Sequence, residues 1–234
     1  MALLEGVRLV EEAMALGLPF RGAIVSPDLR RTERGMALER ALETRGVPLE
    51  PVDAELLIDL ADTETPQGVI AVVEPPTWRL DQVVLGARGA VLALDGVQDP
   101  GNVGALVRTA YGLGAAATVA LTGTVDVLNP KALRGAAGAT FRLPVVAATH
   151  AELAAWLEAN GCVLWLGDRA GAPVGRVARP ARVVVAVGNE GAGLSPALRA
   201  LPHERVAIPL VSGAESLNVA VAAGILLYEV MRGG

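Results

Sequence analysis

Three segments of this 234-residue chain combine glycine with polar side chains in a way that could serve chemistry. In the first, residues 95–104 lead into a helical pattern that carries Arg108. Asn102 is expected at or near the start of that helix, where a side chain can cap the helix and free N–H groups attract an anion. Arg108 follows about 1.7 turns later, and its side chain is long enough to reach back toward the same cleft. The alternative is an ordinary cap followed by a surface arginine.

The second segment, residues 188–193, directly follows the apolar run 183–187. It has three glycines in six residues, which permits positive φ angles or close approach of the backbone to a ligand. A tight strand-to-helix turn, with Ser195 as N-cap and Pro196 at the first helical position, would explain part of this pattern. It does not explain why Glu190 stands among the glycines, so the segment is a candidate for ligand binding.

The third segment, residues 208–218, contains the end of a strand at Pro209, a loop of small residues and the start of a helix. Glu215, Ser216 and Asn218 place donors and acceptors where the N–H groups of a helix start are free. The alternative is that Ser216 only caps the helix.

A regular alternation of strands and helices must position these loops. It predicts a mostly parallel sheet that is covered on both faces, and ligands of such sheets bind outside the carboxyl ends of the strands. Strands are predicted at 91–94, 117–121, 145–147, 162–166, 183–187 and 206–208, and helices at 102–113, 131–137, 151–159 and 218–232.

Residues 1–74 predict a separate small α/β unit. Apolar residues from Leu4 to Met14 recur at helical spacing, the stretch 29–45 is helical in pattern, and 23–25 and 69–73 are predicted strands. Two prolines break the pattern after Glu74. We therefore place a linker at residues 75–87 and a second domain at residues 88–234.

The composition limits the class of protein. Apolar residues make up 52% of the chain and aromatic residues only 3%, so the core must be aliphatic, which favours α/β architecture. The formal charge of −5 gives no overall signal for nucleic acid. Lys131 is the only lysine, and the excess of arginine reflects either genomic base composition or bidentate binding of phosphate.

Other features indicate a soluble, cytoplasmic protein without metal. The single cysteine, Cys162, excludes an internal disulfide and a cysteine-based metal cluster. The amino terminus shows no signal-peptide pattern. The apolar stretch 219–228 is too short to span a bilayer.

Together, and in this order, the three segments resemble the SpoU (TrmH-like) family of RNA 2′-O-ribose methyltransferases, within the SPOUT superfamily. The likeness covers about residues 89–234. The amino-terminal unit is similar, more loosely, to the substrate-binding domain of many such enzymes, which has the fold of ribosomal protein L30e. The first motif is Asn102-x-Gly104-x-x-x-Arg108-Thr109-Ala110, and the second is Gly188-Asn189-Glu190-x-x-Gly193-Leu194. The third consists of Ile208-Pro209, then Gly213, which stands one place later than in the family, and then Glu215-Ser216-Leu217-Asn218-Val219. In the amino-terminal unit the matching stretches are Leu4-Glu5-Gly6 and Thr65-Pro66-Gln67-Gly68-Val69.

The resemblance implies a catalytic domain with a trefoil knot, in which the last strand and helix thread through a preceding loop. It also implies a homodimer whose sites are completed near the interface, and S-adenosylmethionine as cofactor, with Gly188, Ile208 and Leu217 as its main backbone contacts. The full set of implied cofactor residues is Leu121, Thr122, Gly123, Gly188, Asn189, Glu190, Gly191, Ile208, Pro209, Ser216 and Leu217.

The implied reaction is methyl transfer to a ribose 2′-hydroxyl, with Arg108 as the catalytic residue. Because the pKa of an arginine lies far above neutral pH, proton abstraction would be costly, and a role in gripping phosphate fits the chemistry better than a role as base. Asn102, Glu190, Ser216 and Asn218 would position the ribose and Arg108. RNA contacts are expected from Arg30, Arg31, Arg34, Arg134 and Arg142.

Ribosomal RNA is the first expectation for the substrate, and transfer RNA stays open. A nicotinamide-binding domain would need Gly-x-Gly-x-x-Gly after the first strand, and residues 101–104 lack that spacing. A non-catalytic RNA-binding protein of the L30e type would explain residues 1–74 but would leave the three loops without a purpose.

Overall fold

Two separate β-sheets organise the chain, one of four strands within residues 2–73 and one of six strands within residues 89–207. The structure is a computed structural model that describes residues 1–212 and 214–232. Gly213 of the third segment therefore lies outside the described residues.

The amino-terminal unit is a mixed sheet with three helices. In the strand order β1-β4-β2-β3, β4 runs antiparallel to both neighbours and β3 runs parallel to β2. The elements are β1 (Ala2–Glu5), α1 (Val7–Ala15), β2 (Phe20–Val25), α2 (Glu33–Thr44), β3 (Leu49–Pro51), α3 (Ala54–Leu60) and β4 (Val69–Val73).

The sequence prediction was wrong at the start of this unit. Leu4 lies in β1 and not in the first helix, because Gly6, at φ 95°, turns the chain between strand and helix. The predicted helix at 29–45 is divided into a 3₁₀ turn, Pro27–Arg31, and α2. Thr32 separates the two, and its side chain accepts a 3.0 Å hydrogen bond from the Gly35 N–H.

The second unit has a sheet in which every paired strand is parallel, in the order β10-β8-β9-β5-β6-β7. This confirms the predicted fold class. Its elements are β5 (Gly89–Asp95), α4 (Pro100–Gly112), β6 (Ala117–Leu121), α5 (Pro130–Ala136), β7 (Val145–Ala148), α6 (His150–Asn160), β8 (Val163–Pro173), β9 (Arg182–Gly188), α7 (Pro196–Arg199), β10 (Glu204–Ala207) and α8 (Val219–Met231).

Alternation along the central strands fills two aliphatic layers, because successive side chains point to opposite faces of a sheet. Leu92 of β5 packs in the layer that includes Leu106 of α4 and Leu226 of α8. Val91 of β5 packs on the other face with Leu153 of α6 and Leu198 of α7. The sheet is thus covered on both faces, as predicted.

β8 is longer than predicted and ends at Pro173 rather than near Leu166. Its pairing with β10 shifts register between Arg205 and Val206. The extension carries polar residues past the apolar part of the strand, at the edge where the functional loops lie. In the described part of the chain, no helix is both long and apolar enough to cross a membrane.

Candidate functional site

A cavity of about 540 Å³ lies at the carboxyl ends of β9 and β10, beside the middle of the long strand β8, and is bounded on one side by α8. This is the edge of a parallel sheet at which ligands bind, and the volume is typical of small-molecule sites. The lining residues are Gly167, Asp168, Arg169, Val187, Gly188, Asn189, Glu190, Gly193, Leu194, Arg199, Val206, Ala207, Ile208, Leu210, Ser216, Leu217, Asn218, Val219, Ala222 and Leu226.

The loop after β9 folds back on itself and exposes Glu190. The backbone N–H groups of Asn189 and Gly193 each donate to the other residue's carbonyl, at 3.0 and 2.9 Å. The Asn189 side chain accepts from the N–H of Gly191 at 2.9 Å and donates to the Gly96 carbonyl at 2.9 Å. A Cβ on Gly188 would lie 2.5 Å from the Leu194 nitrogen, so only glycine fits there.

The side chain of Asn102 joins the first segment to the other two. Its amide nitrogen donates to Glu190 at 2.9 Å, and its oxygen accepts from the Asn218 amide at 3.0 Å. The prediction that Asn102 caps α4 was wrong, because Asp99 is the N-cap and accepts from the Asn102 N–H at 2.7 Å. Asn102 stands inside the first turn, which leaves its side chain free for this contact.

Asn218, and not Ser216, caps α8. Its side-chain oxygen accepts from the N–H groups of Ala220 and Val221, at 2.9 and 3.3 Å. This cap fixes the orientation of the amide, so its nitrogen points to Asn102. Ser216 lies before the helix and lines the cavity.

Two carboxylates, Glu190 and Asp168, line the cavity together with the guanidinium groups of Arg169 and Arg199. Burial acts to raise the pKa of Glu190, but hydrogen bonds from Asn102 and from backbone N–H groups outweigh it and hold the pKa below its ordinary value. The pKa of Asp168 is lowered by a hydrogen bond from the Ala170 N–H and by the Arg199 guanidinium, which lies 2.7 Å away.

Six of the residues expected to bind the cofactor line this cavity, namely Gly188, Asn189, Glu190, Ile208, Ser216 and Leu217. Gly191 and Pro209 belong to the same loops but are not among the described residues that line it. Leu121, Thr122 and Gly123 line a different cavity, of about 370 Å³, at the ends of β6 and β7. In the sheet, β5 lies between β6 and β9, so these three residues stay a prediction for cofactor binding and do not line the first cavity in this structure.

Arg108 is exposed on α4 and does not line the cavity. It has no side-chain hydrogen bond or ion pair within residues 1–212 and 214–232. At 3.6 residues per turn, six positions place it away from the face that presents Asn102. The expected reach into the cleft is therefore not seen in a single chain.

The five arginines expected to bind RNA all pair with carboxylates. Arg30 and Arg31 pair with Glu39 and Asp28 at 2.8 Å, and Arg34 pairs with Glu11, while the arginines stay exposed. The other two differ, since they pair across the boundary between the two units. Arg134 contacts Glu5 and Asp62, and Arg142 contacts Glu12 at 2.7 Å, so both connect the two units, and RNA contact by any of the five stays a prediction.

The sequence interpretation missed the β8 side of the cavity. Asp168 and Arg169 follow the apolar run that ends at Leu166, after Gly167, and polar residues next to the apolar run of a parallel strand are the signal that could have identified them. Arg199 of α7 carried no such signal.

A buried carboxylate was also missed. Asp95, 2% exposed at the end of β5, accepts from the Ser195 N–H at 2.6 Å and lies 2.8 Å from the His150 ring nitrogen. It holds the far end of the 188–195 loop against the sheet. Among the described residues, no group of three or more His, Cys, Asp or Glu side chains could hold a metal ion.

The cavity has the features that S-adenosylmethionine requires. Buried Val187, Leu194 and Leu226 offer apolar surface for a purine. The backbone at Gly188 is open to close approach, and carboxylate and guanidinium groups face the same space as partners for an ammonium and a carboxylate.

Family models match both units. Residues 89–228 match the SpoU rRNA Methylase family, and residues 3–79 match the RNA 2′-O ribose methyltransferase substrate binding domain.

Curated relatives match along nearly the whole chain. The 23S rRNA (guanosine(2553)-2′-O)-methyltransferase of Bacillus subtilis is 36% identical over 97% of this chain and 87% of its own length. The 23S rRNA (uridine(2479)-2′-O)-methyltransferase of Streptomyces viridochromogenes is 31% identical over 98% of this chain and 82% of its own length.

Solved structures of methyltransferases are also similar to this chain. The SpoU methyltransferase AviRb from S. viridochromogenes, in complex with the cofactor AdoMet, has a TM-score of 0.86 and 33% identity over 98% of this chain and 89% of that one. An AdoMet-bound rRNA methyltransferase from Sinorhizobium meliloti has a TM-score of 0.85 and 27% identity over 99% and 87% of the two chains. These findings confirm the resemblance that the three motifs indicated: the chain belongs to the SpoU rRNA methylase family.

Proposed function

We propose that this protein is an S-adenosylmethionine-dependent methyltransferase that methylates a ribose 2′-hydroxyl of 23S ribosomal RNA. The observation that carries the proposal is the junction of Asn102, Glu190 and Asn218 beside a cavity, in a chain that matches the family over both units. The two relatives described above are named for different nucleotides, a guanosine and a uridine. The proposal therefore extends to the RNA and the 2′-oxygen, and not to one nucleotide.

The cofactor would be held by the backbone at Gly188, Ile208 and Leu217. When bound, S-adenosylmethionine would supply a methyl group on a positively charged sulfur, and the anionic side chain of Glu190 would favour its positive charges, whereas Asp168 is already paired with Arg199. The interlocked amides of Asn102 and Asn218 fix Glu190 without a water between them. The loops thus form a site that is arranged before the substrates arrive.

In the reaction a bond forms between the 2′-oxygen and the methyl carbon, the carbon–sulfur bond breaks, and the hydroxyl proton passes to solvent. Guanidinium groups are not deprotonated in proteins, so the role of a base does not suit Arg108. We assign it to the phosphate beside the target ribose, which it would grip with two parallel hydrogen bonds. Its exposure on α4 leaves it free to do so.

A homodimer would complete the site. α8 exposes Val221 and Tyr228, and α4, which packs against α8, exposes Tyr111. Apolar side chains grouped on adjacent helices mark an interaction surface, and a surface of this kind pairs with its own copy in a two-fold dimer. Arg108 lies on the same helix as Tyr111, so a dimer would bring it near a site boundary.

The family fold adds a trefoil knot formed by the last strand and helix, and we propose this knot for the segment from β10 to α8. An enzyme with a ribosomal RNA substrate would work in the cytoplasm, where ribosomes are.

Calorimetry with S-adenosylmethionine and transfer of labelled methyl to unmodified 23S rRNA test the proposal. We expect one cofactor site per chain and, after nuclease digestion, a single labelled 2′-O-methylnucleoside. A labelled base would refute the 2′-O assignment, and preferential labelling of transfer RNA would refute the ribosomal one. A folded protein that gives no binding heat and no transfer would refute the methyltransferase itself.

A further inference from the structure

Helix α5 contacts both units of the chain. We propose that α5 fixes the amino-terminal unit in one orientation relative to the methyl-transfer site, and that Arg134 is the positioning residue that secures it. The functional part of this inference rests on the proposed RNA methyltransferase activity. The structural part does not, and it can be tested by itself.

Arg134 binds two acidic groups of the amino-terminal unit. Its guanidinium lies 3.1 Å from the Glu5 carboxylate and also contacts Asp62. The Glu5 side chain is only 2% exposed, and it also accepts from the Asp62 N–H at 3.0 Å and from the Thr63 hydroxyl. Because the charges are withdrawn from water and hydrogen-bonded on several sides, this contact differs from the exposed pairs elsewhere in the chain.

Apolar side chains on either side of Arg134 complete the amino-terminal core. Leu133, fully buried, and Phe141, 4% exposed, belong to the second unit, yet they pack with the core that contains Leu4 and Val10. Arg142, next to Phe141, pairs with Glu12 of α1 at 2.7 Å. Swinging the amino-terminal unit away from the second unit would expose Leu133 and Phe141 to water.

The other side of α5 lies against the helix that carries the site. A Cβ on Gly135 would be 3.3 Å from the Cα of Gly104, so the backbones of α5 and α4 are in direct contact. The first turn of α4 holds Asn102, which binds Glu190 and Asn218. One short helix therefore connects Glu5 on one side with the Asn102 junction on the other.

A fixed orientation of the amino-terminal unit would set the distance between bound RNA and the methyl-transfer site. RNA held by the amino-terminal unit would present to the site only a nucleotide at a set distance from the anchored part. A unit on a free linker would let several nearby riboses reach the site. Arg134 would thus contribute to the choice of target without contacting the RNA.

Distances between two nitroxide labels, measured by pulsed electron double resonance, test the structural part. The labels would stand on cysteines introduced at Glu43 and Glu158, exposed positions in the two units, in a Cys162→Ser background and diluted with unlabelled chain. We expect one narrow distance distribution, which broadens in Arg134→Gln. Arg21→Gln, which breaks an ion pair inside the amino-terminal unit, should leave it narrow.

The double variant Arg134→Gln/Glu5→Gln removes both charges, so no buried carboxylate is left unpaired. We expect the same broadening in a folded protein, and Arg134→Lys should partly restore the narrow distribution. A distribution that stays narrow in the double variant would overturn the inference, whatever happens to its melting temperature.

Activity tests the functional part. We expect Arg134→Gln to bind S-adenosylmethionine within about twofold of the parent, while kcat/KM for RNA falls about tenfold and label spreads to neighbouring nucleotides, because small misplacements of a reacting group are costly. If the distance distribution of Arg134→Gln broadens but neither kcat/KM nor the labelled nucleotide changes, the proposed role of Arg134 in the choice of target is overturned. If the parent protein methylates no RNA, the proposed function fails, and the distance measurement still decides whether α5 fixes the orientation of the amino-terminal unit.

Discussion

The side chain of Asn102 has both its donor and its acceptor in use, toward Glu190 and Asn218. Asn102→Asp keeps the shape and the acceptor but replaces the donor with a carboxylate beside Glu190. The two carboxylates repel, which raises the pKa of one of them and opens the junction. We expect affinity for S-adenosylmethionine and the single-turnover methyl-transfer rate each to fall about tenfold or more, as measured by calorimetry and with labelled cofactor.

Gln98→Ala is the matched control for Asn102→Asp. Gln98 is exposed in the same loop, and the substitution leaves its backbone N–H in place. If Asn102→Asp behaves like this control in both assays, the contact between the three motifs is structural and has no part in binding.

Substitutions of Arg108 can distinguish a role in binding phosphate from a role as base. Arg108→Ala should leave cofactor affinity unchanged and lower the transfer rate about 100-fold, the loss typical of removing one stabilising donor from a site.

Arg108→Lys decides between the phosphate role and the role as base. Lysine has a lower pKa and would be the better base, yet it cannot form two parallel hydrogen bonds to phosphate. A lysine variant with full activity would contradict the phosphate role. The control is Arg88→Ala, which removes an exposed arginine outside the site and should change neither cofactor affinity nor the transfer rate.

At the scale of elements, the crossing of α4 and α5 depends on Gly104. A Cβ there would lie 2.9 Å from the Ala136 nitrogen and closer still to the Ala132 carbonyl oxygen. Backbone atoms cannot give way as side chains do, so Gly104→Ala should lower the free energy of unfolding by about 1–3 kcal/mol. The measurement is urea unfolding, followed by circular dichroism.

Gly112→Ala, in the last position of α4, is the matched comparison. A Cβ at Gly112 meets nothing within 4 Å, so this variant should be neutral or gain up to about 1 kcal/mol of stability. Equal effects at the two glycines would show that helix propensity, and not the helix crossing, sets the cost at Gly104.

The elements that the sequence predicted well are those whose pattern is local. The strands at 69–73 and 117–121 match β4 and β6 residue for residue, and Thr149 caps α6 as expected. The last helix, predicted at 218–232, also agrees closely with α8. The cap of α4 was misplaced at Asn102 because several polar residues stand before the helix, whose N-cap is Asp99. Which of them caps is decided by where the others find partners, and Asn102 finds its partners 88 and 116 positions away.

At the scale of the molecule, the three motif loops could be grouped in advance because parallel strands bring their carboxyl ends to one edge. Their neighbours along that edge could not, since strand order follows from long-range packing. For this reason Asp168 was missed. Arg134 looked like an RNA contact, since no local pattern shows that Glu5, 129 positions away, is its partner.

The state of assembly is the last property that the fold makes testable. Val221 and Tyr228, on α8, are 51% and 55% exposed. An Asp at either position would put a charge into the proposed interface, and burying an unpaired charge is strongly unfavourable. Sedimentation velocity should show a dimer for the parent protein and a folded monomer for Val221→Asp/Tyr228→Asp, with methyl transfer lost. Val84→Asp, at an 84% exposed position between the two sheets in sequence, should remain dimeric and active. A double variant that stays dimeric would place the interface elsewhere, and an active monomer would mean that each chain holds a complete site and that Arg108 acts within its own chain.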